Sequence, residues 1–187
     1  MGRWEPDAQG RLRRAALELY AARGFEETTV ADIAARAGVT ERTFFRYFAD
    51  KREVLFQGSA ALEGAAVAAI SQAPSSRGTF EAVVTAVEAL GELLADREYS
   101  RERAAVIAST ASLQERELLK MSAFRAAVAA ALEARGATPT AAALAAESGA
   151  AVFRVGFEQW ISPGENRDFA ECVAGVSAEL RALTRPS

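Results

Sequence analysis

Residues 28–51, TTVADIAARAGVTERTFFRYFADK, decide how this chain is read. A hydroxyl at Thr28 or Thr29 can accept from an orphan N–H in the first turn of a helix. Val30, Ile33, Ala34 and Ala37 recur at i, i+3, i+4 and i+7, which is one apolar helical face. Gly38 follows, where the chain must leave the helix with a positive φ. Val39 comes directly after the turn. Thr40 can cap a second helix over residues 41–48, and Asp50 can cap whatever comes next. Helix, Gly-containing turn and helix form the helix-turn-helix pattern.

The second helix divides unusually. Phe44 and Phe48, four apart, can point inward together. That leaves Glu41, Arg42, Thr43, Phe45, Arg46 and Tyr47 outside. Such a face is poor for solubility and good for a DNA groove. Arg offers a planar fork to guanine or phosphate, Thr reaches a base or phosphate, and a ring packs on a thymine methyl. Residues 36–52 carry five basic and two acidic side chains, a local balance of +3. A solvated hairpin with Phe45 and Tyr47 packed on a neighbour fits the same residues.

Residues 11–56 resemble the DNA-binding domain of the TetR family of bacterial transcriptional regulators. The likeness runs through Ala-Arg-Gly-Phe (22–25), Thr-Thr-Val-Ala-Asp-Ile-Ala (28–34), Ala-Gly-Val-Thr (37–40), Thr-Phe-Phe-Arg-Tyr-Phe (43–48), Lys51 and Leu55-Phe56. Phe45 stands where the family commonly has Tyr, and Tyr47 where His is frequent. The resemblance implies DNA contacts from Thr29, Thr40, Arg42, Thr43, Phe45, Arg46, Tyr47 and Lys51, the last beside the N-terminus of a fourth helix where a phosphate can dock. It also implies an all-α fold. An N-terminal three-helix head over residues 1–50 would join a C-terminal effector-binding and dimerisation domain over 51–187, with helix 4 from Lys51 linking them.

Composition narrows the class. The chain has 187 residues, half of them apolar, which supports a sizeable core. The net charge of −3 is uneven: residues 1–56 carry ten basic and nine acidic groups, and residues 57–187 twelve and sixteen. The acidic surplus belongs to the part that need not touch DNA. No apolar run of bilayer-spanning length and no signal-peptide order are expected, so the sequence reads as cytoplasmic, without a membrane partner. There is no His and one Cys. Ser-His-Asp triads, Cys-His dyads and zinc sites are thereby excluded within one chain. No phosphate-cradling Gly-rich loop is present. The reading is a non-enzyme with no catalytic residue, metal or cofactor.

The rest of the chain reads as helices. Residues 1–7 read as a disordered arm, a floppy tail or one whose Arg3 could enter a minor groove. Helix 1 spans about 8–23, with Leu12, Ala16 and Leu19 inward. Helix 4 runs from after Asp50 to about 72. Helix 5, capped by Thr79, extends to about 96. Helix 6 covers about 100–110 and helix 7 about 112–135. Helix 8 starts at Thr138-Pro139, and helix 9 is capped by Asn166 and reaches about 183. No strand pattern competes, so about nine helices are expected. In helices 8 and 9, Val152, Gly156, Phe169, Cys172, Val173, Val176 and Leu180 either cover the chain's own core or form a two-fold interface. The resemblance favours the interface, which would set two recognition helices roughly 34–36 Å apart on successive major grooves. Arg103, Thr110, Met121, Phe124, Phe153, Phe157 and Trp160 are the candidate effector contacts.

The function expected from the resemblance is a homodimeric repressor on a palindromic double-stranded DNA operator. A small apolar or amphipathic effector would release it, turning helix 4 and shifting the heads out of groove register. The alternative is a constitutive or architectural DNA-binding protein without an effector.

Overall fold

The computed structural model describes residues 7–94 and 96–184. Arg3 and the arm around it lie outside the described residues. Among those described there are nine α-helices and no strand. The helices are α1 (Ala8–Arg23), α2 (Val30–Arg36), α3 (Glu41–Tyr47), α4 (Ser59–Gln72), α5 (Thr79–Ala89), α6 (Arg97–Ala108), α7 (Ala111–Ala134), α8 (Pro139–Trp160) and α9 (Phe169–Leu183). The chain divides into two compact units, Met1–Gly58 with Glu102–Leu118, and Ser59–Arg101 with Leu119–Ser187. The first unit thus extends past Asp50, where the sequence suggested a boundary.

In the first unit α1 buries Leu12, Ala15, Ala16, Leu17 and Tyr20. Leu19 is only half-buried, against expectation. Tyr20 fixes the rotation of the helix. Its ring lies 5.1 Å from that of Phe25, and its hydroxyl donates to the Lys51 carbonyl at 2.6 Å.

Helix 4 was expected directly after Asp50, but the chain does otherwise. The Asp50 carboxylate accepts from the amides of Arg52 at 2.8 Å and Glu53 at 3.1 Å. That cap starts a 3-10 turn over Glu53–Leu55, not an α-helix. Val54, Leu55 and Phe56 are all buried, which three consecutive side chains achieve in a tight turn better than on one helical face. The stretch Glu53–Gln72 is apolar enough by composition to cross a membrane, contrary to the expectation from sequence. However, α4 itself has 14 residues, about 21 Å of helix against a hydrocarbon core of about 30 Å.

The second unit is built on α4, α5, α8 and α9, with α5 packed against each of the other three. Its core includes Ile70, Val83, Val87, Leu90, Val128, Leu132, Val152, Trp160 and Phe169. Glycines let the helices approach. A Cβ on Gly149 would lie 2.1 Å from a Val83 methyl, and one on Gly156 would lie 3.0 Å from a Val173 methyl. Two caps differ from the sequence reading. α9 is capped by Asp168 and not Asn166, because Asp168 and Glu171 each accept the other's amide at 2.8 Å. α5 follows Gly78 without a side-chain cap, and Thr79 is its first residue.

This packing bears on the residues expected at a dimer interface. Val152, Phe169, Cys172 and Val173 are buried within a single chain, and Gly156 faces Val173. Helix α5 packs on α8 at Gly149, where Val83 lies against it. Only Val176 and Leu180 of the seven stay half-buried at the core's edge. On α8 and α9 the large apolar residues left exposed are Leu144, 65% exposed, and Leu183, 82% exposed.

Candidate nucleic-acid interface

The turn between α2 and α3 is closed by backbone geometry. Gly38 has φ 69°. Its amide donates to Ala35 O at 3.1 Å, and the Val39 amide donates to Ala34 O at 2.9 Å. These two bonds make a Schellman motif, which satisfies the carbonyls of Ala34 and Ala35 near the end of α2. Thr29 caps α2 and Thr28 does not. The Thr29 hydroxyl accepts from Asp32 N at 3.1 Å, and Asp32 accepts the Thr29 amide at 3.0 Å. Thr28 is buried, its hydroxyl donating to Gly24 O at 2.8 Å. The Thr29 bonds and the nearby Arg23 guanidinium hold the Asp32 carboxyl below its ordinary range.

Thr40 caps α3, accepting from Thr43 N at 3.2 Å, with the two hydroxyls 3.1 Å apart. Phe44 and Phe48 are buried with ring centroids 5.3 Å apart. They fix the rotation of α3 and leave its other face outward. Phe45 is 56% exposed and Tyr47 37%. Glu41, Arg42 and Arg46 are exposed, and Thr43 is half-buried. Arg46 donates to the Tyr47 hydroxyl at 2.9 Å, with its guanidinium 4.8 Å from that ring's centroid.

Ion pairing concentrates the charge that the sequence shows spread over residues 36–52. Arg36 binds the Glu18 carboxylate through two nitrogens, at 3.0 and 2.7 Å. Arg52 binds Asp50 likewise, at 3.2 and 2.7 Å. The Lys51 ammonium sits on main-chain carbonyls of the α1–α2 loop. What is left facing outward is Arg42 and Arg46, one helical turn apart. Arg42 has no bonded partner among the described residues. Glu18 and Tyr20 were missed from sequence because their partners lie far along the chain, where no local pattern points.

An apolar-anchored short helix presenting two Arg, two aromatics and a Thr, behind a Gly-closed turn, is matched by known proteins. Residues 12–57 match the profile of bacterial regulatory proteins of the tetR family. Over that stretch the chain is similar to the DNA-binding part of TetR-family regulators. The HTH-type transcriptional regulator TcmR of Streptomyces glaucescens is 42% identical over 79 residues, which is 42% of this chain and 35% of that protein. The chain therefore matches about a third of this relative's length. Among solved structures, FadR of Thermus thermophilus, a TetR-family repressor in complex with lauroyl-CoA, superposes with TM-score 0.57 at 24% identity, covering 96% of both chains. NalD, the secondary repressor of the MexAB-OprM multidrug efflux pump in Pseudomonas aeruginosa, gives TM-score 0.63 at 20% identity, covering 95% of this chain and 97% of that one. These likenesses extend the TetR fold over nearly the whole chain.

The seven residues expected at a TetR effector site fall in both units. Phe124, Phe153, Phe157 and Trp160 form a run of ring contacts in the second unit, at 6.3, 6.0 and 5.9 Å. Met121 is half-buried on the same unit's stretch of α7. Arg103 and Thr110 belong to the first unit. The Arg103 guanidinium donates to Leu55 O at 2.7 Å, lies 5.0 Å from the Phe56 ring centroid and pairs with Glu117 at 3.5 Å. It therefore holds residues 102–118 to the 3-10 turn, helped by the Arg116–Glu53 pair. The Thr110 carbonyl accepts the Gln114 amide at 3.0 Å at the start of α7. A groove of about 280 Å³ lies elsewhere in the second unit, lined by residues of α5, α8 and α9 that include Phe80, Leu144 and Arg181.

Proposed function

We propose that this chain is a DNA-binding transcriptional regulator that acts as a homodimer on a palindromic operator. The observation that carries this reading is the outer face of α3, where Arg42, Phe45, Arg46 and Tyr47 stand exposed over buried Phe44 and Phe48. A monomeric protein gains nothing in solution from such a face. In a major groove each of these side chains has a partner. Thr29, Thr40 and Thr43 lie at the two helix starts, within reach of backbone and base edges. The site of action is the cytoplasm, where the chromosome is.

Dimerisation is proposed through the exposed sides of α8 and α9, using Leu144, Val176, Leu180 and Leu183. The exposure of Leu144 and Leu183 supports this. Val176→Asp should convert a sedimenting dimer to monomers; a wild-type chain sedimenting as a monomer at micromolar concentration would sink the dimer.

The regulator is read as a repressor released by a small apolar or amphipathic compound. The ring cluster of Phe124, Phe153 and Phe157, only half-buried, supports an apolar ligand. The lauroyl-CoA held by Thermus thermophilus FadR makes acyl thioesters the first compounds to test. The deciding experiment is selection of bound duplexes from a random pool, repeated with such compounds present. An inverted repeat is expected to emerge, with binding lost when the compound is added. No enriched sequence would overturn the regulator reading. Enrichment indifferent to every compound would favour a constitutive DNA-binding protein.

A further inference from the structure

The ammonium of Lys51 lies 2.9 Å from Phe25 O, 3.0 Å from Thr28 O and 3.4 Å from Glu26 O. It also stands 4.2 Å from the centroid of the Phe25 ring. An ammonium has three donors and no acceptor. Three carbonyls of one loop take all of them. The other end of the residue is also tied, because the Lys51 carbonyl accepts the Tyr20 hydroxyl at 2.6 Å. Burial pushes that hydroxyl far above the ordinary tyrosine range, so it stays a donor. The loop so held is the one that enters α2. Thr28 within it is buried, and Thr29 next to it makes the reciprocal cap with Asp32.

We propose that Lys51 is a positioning residue for DNA binding: its ammonium fastens residues 25–28, and through them Thr29 and the N-terminus of α2, and it contacts no DNA phosphate. A loop left without it exposes three carbonyls that must find water, and Thr29 loses its fixed station. Arginine is no substitute. Its planar fork cannot gather three carbonyls converging on a point, although it serves a phosphate as well as lysine does. That difference separates the two roles.

The proposal rests on the DNA-binding reading, so its test has one measurement with DNA and one without. Wild type, Lys51→Met and Lys51→Arg full-length chains are compared in amide hydrogen exchange and in binding to a mixed-sequence duplex across a salt series. Both variants are expected to speed exchange at residues 28–33 by on the order of tenfold, leaving α8 unchanged. Both should weaken binding about equally, with the slope of log affinity against log salt as in wild type. A slope that falls by about one unit in Lys51→Met, with Lys51→Arg binding like wild type, would overturn the proposal, as would unchanged exchange in both variants. Should Lys51→Met fail to fold, Lys51→Arg alone decides: binding and exchange like wild type sink the idea. A wild-type chain that binds no duplex would bring down the DNA-binding reading itself, while the exchange measurement still decides whether the loop is fastened.

Discussion

The outer face of α3 and the paired faces of α8 and α9 pose one question and answer it differently. Both are helix surfaces whose residues could be inside or outside. On α3 the rings of Phe44 and Phe48 are buried and those of Phe45 and Tyr47 are not. Two aromatics and two Arg cannot all share one side of a seven-residue helix with a core, so the 3.6-residue period forces the division. On α8 and α9 small and branched residues lie on nearly every side. Ala142, Ala145, Gly149 and Val152 fit a neighbouring helix of the same chain as well as a helix of a second copy. Side-chain size sorts the first surface, and nothing local sorts the second. The lesson is that a face is legible when its residues are costly in the wrong place.

The sharpest way to break the comparison is to exchange inside for outside on α3. Phe44→Ala should destabilise the chain by about 3–5 kcal/mol, the usual cost of emptying a buried Phe site. Phe45→Ala, one residue on, should stay within about 0.5 kcal/mol of wild type yet alter the operator sequence preferred. Urea unfolding measures the first, and selection from random duplexes the second. Equal losses of stability would mean that Phe45 is packed and is not a DNA-facing residue.

On α8 the same logic tests the internal packing. Gly149→Ala would place a methyl 2.1 Å from a Val83 methyl carbon, and Val83 is fully buried with no room to turn. Overpacking of this kind costs about 1–3 kcal/mol. Gly64→Ala, on α4 where nothing lies within 4 Å, should stabilise by about 0.5–1 kcal/mol instead. Thermal unfolding of the two variants should move in opposite directions. Should Gly149→Ala leave stability alone and dissociate a dimer, α8 would meet a second copy there and not α5.

How much of this was legible from sequence follows from the same distinction. The caps at Thr29 and Thr40, the turn at Gly38 and the inward pair on α3 are decided within a few residues of themselves, and they read correctly. The all-α class likewise needs only local periodicity. The start of α4 at Ser59 was missed, because the burial of Val54, Leu55 and Phe56 in a 3-10 turn is a tertiary fact. So is the attachment of Arg103 to Leu55 and Phe56. The basic stretch was legible as composition, but its focus on Arg42 and Arg46 depends on partners such as Glu18 on another helix.

That focus sets the third prediction. Arg42→Ala and Arg46→Ala should each reduce the salt slope of DNA binding by about one unit, whatever the sequence of the duplex. Arg36→Ala, which removes a charge already paired with Glu18, should leave the slope near that of wild type. Fluorescence anisotropy over a salt series distinguishes them. Equal slopes for all three variants would mean that the charge of this head acts as a diffuse field, not through two residues of α3.

The smallest effect concerns pH, and here two carboxylates of the second unit should act in opposite senses. Burial raises the carboxyl of Glu88, on α5, above its ordinary value of 4.5, with the Arg181 charge opposing. A raised carboxyl contributes its stability fully below the unfolded value. The contribution is lost as pH climbs from 4.5 through the raised folded value. Glu165 is the reverse. Its carboxylate accepts from the side chain and amide of Arg167 and from the Asn166 amide, which holds it down to about 2. Its contribution is present above 4.5 and is lost as pH falls towards 2. Glu88→Gln should therefore flatten the decline of stability on the alkaline side of 4.5. Glu165→Gln should flatten the decline on the acid side, where the wild type loses the Arg167 contact. With no His in the chain, operator affinity at fixed ionic strength should stay nearly flat from about pH 6 to 8. Urea unfolding at several pH values, alongside a binding titration across the same range, checks both parts. A Glu88→Gln profile that parallels wild type would mean that the raised carboxyl is already relieved by Arg181 and contributes no pH slope.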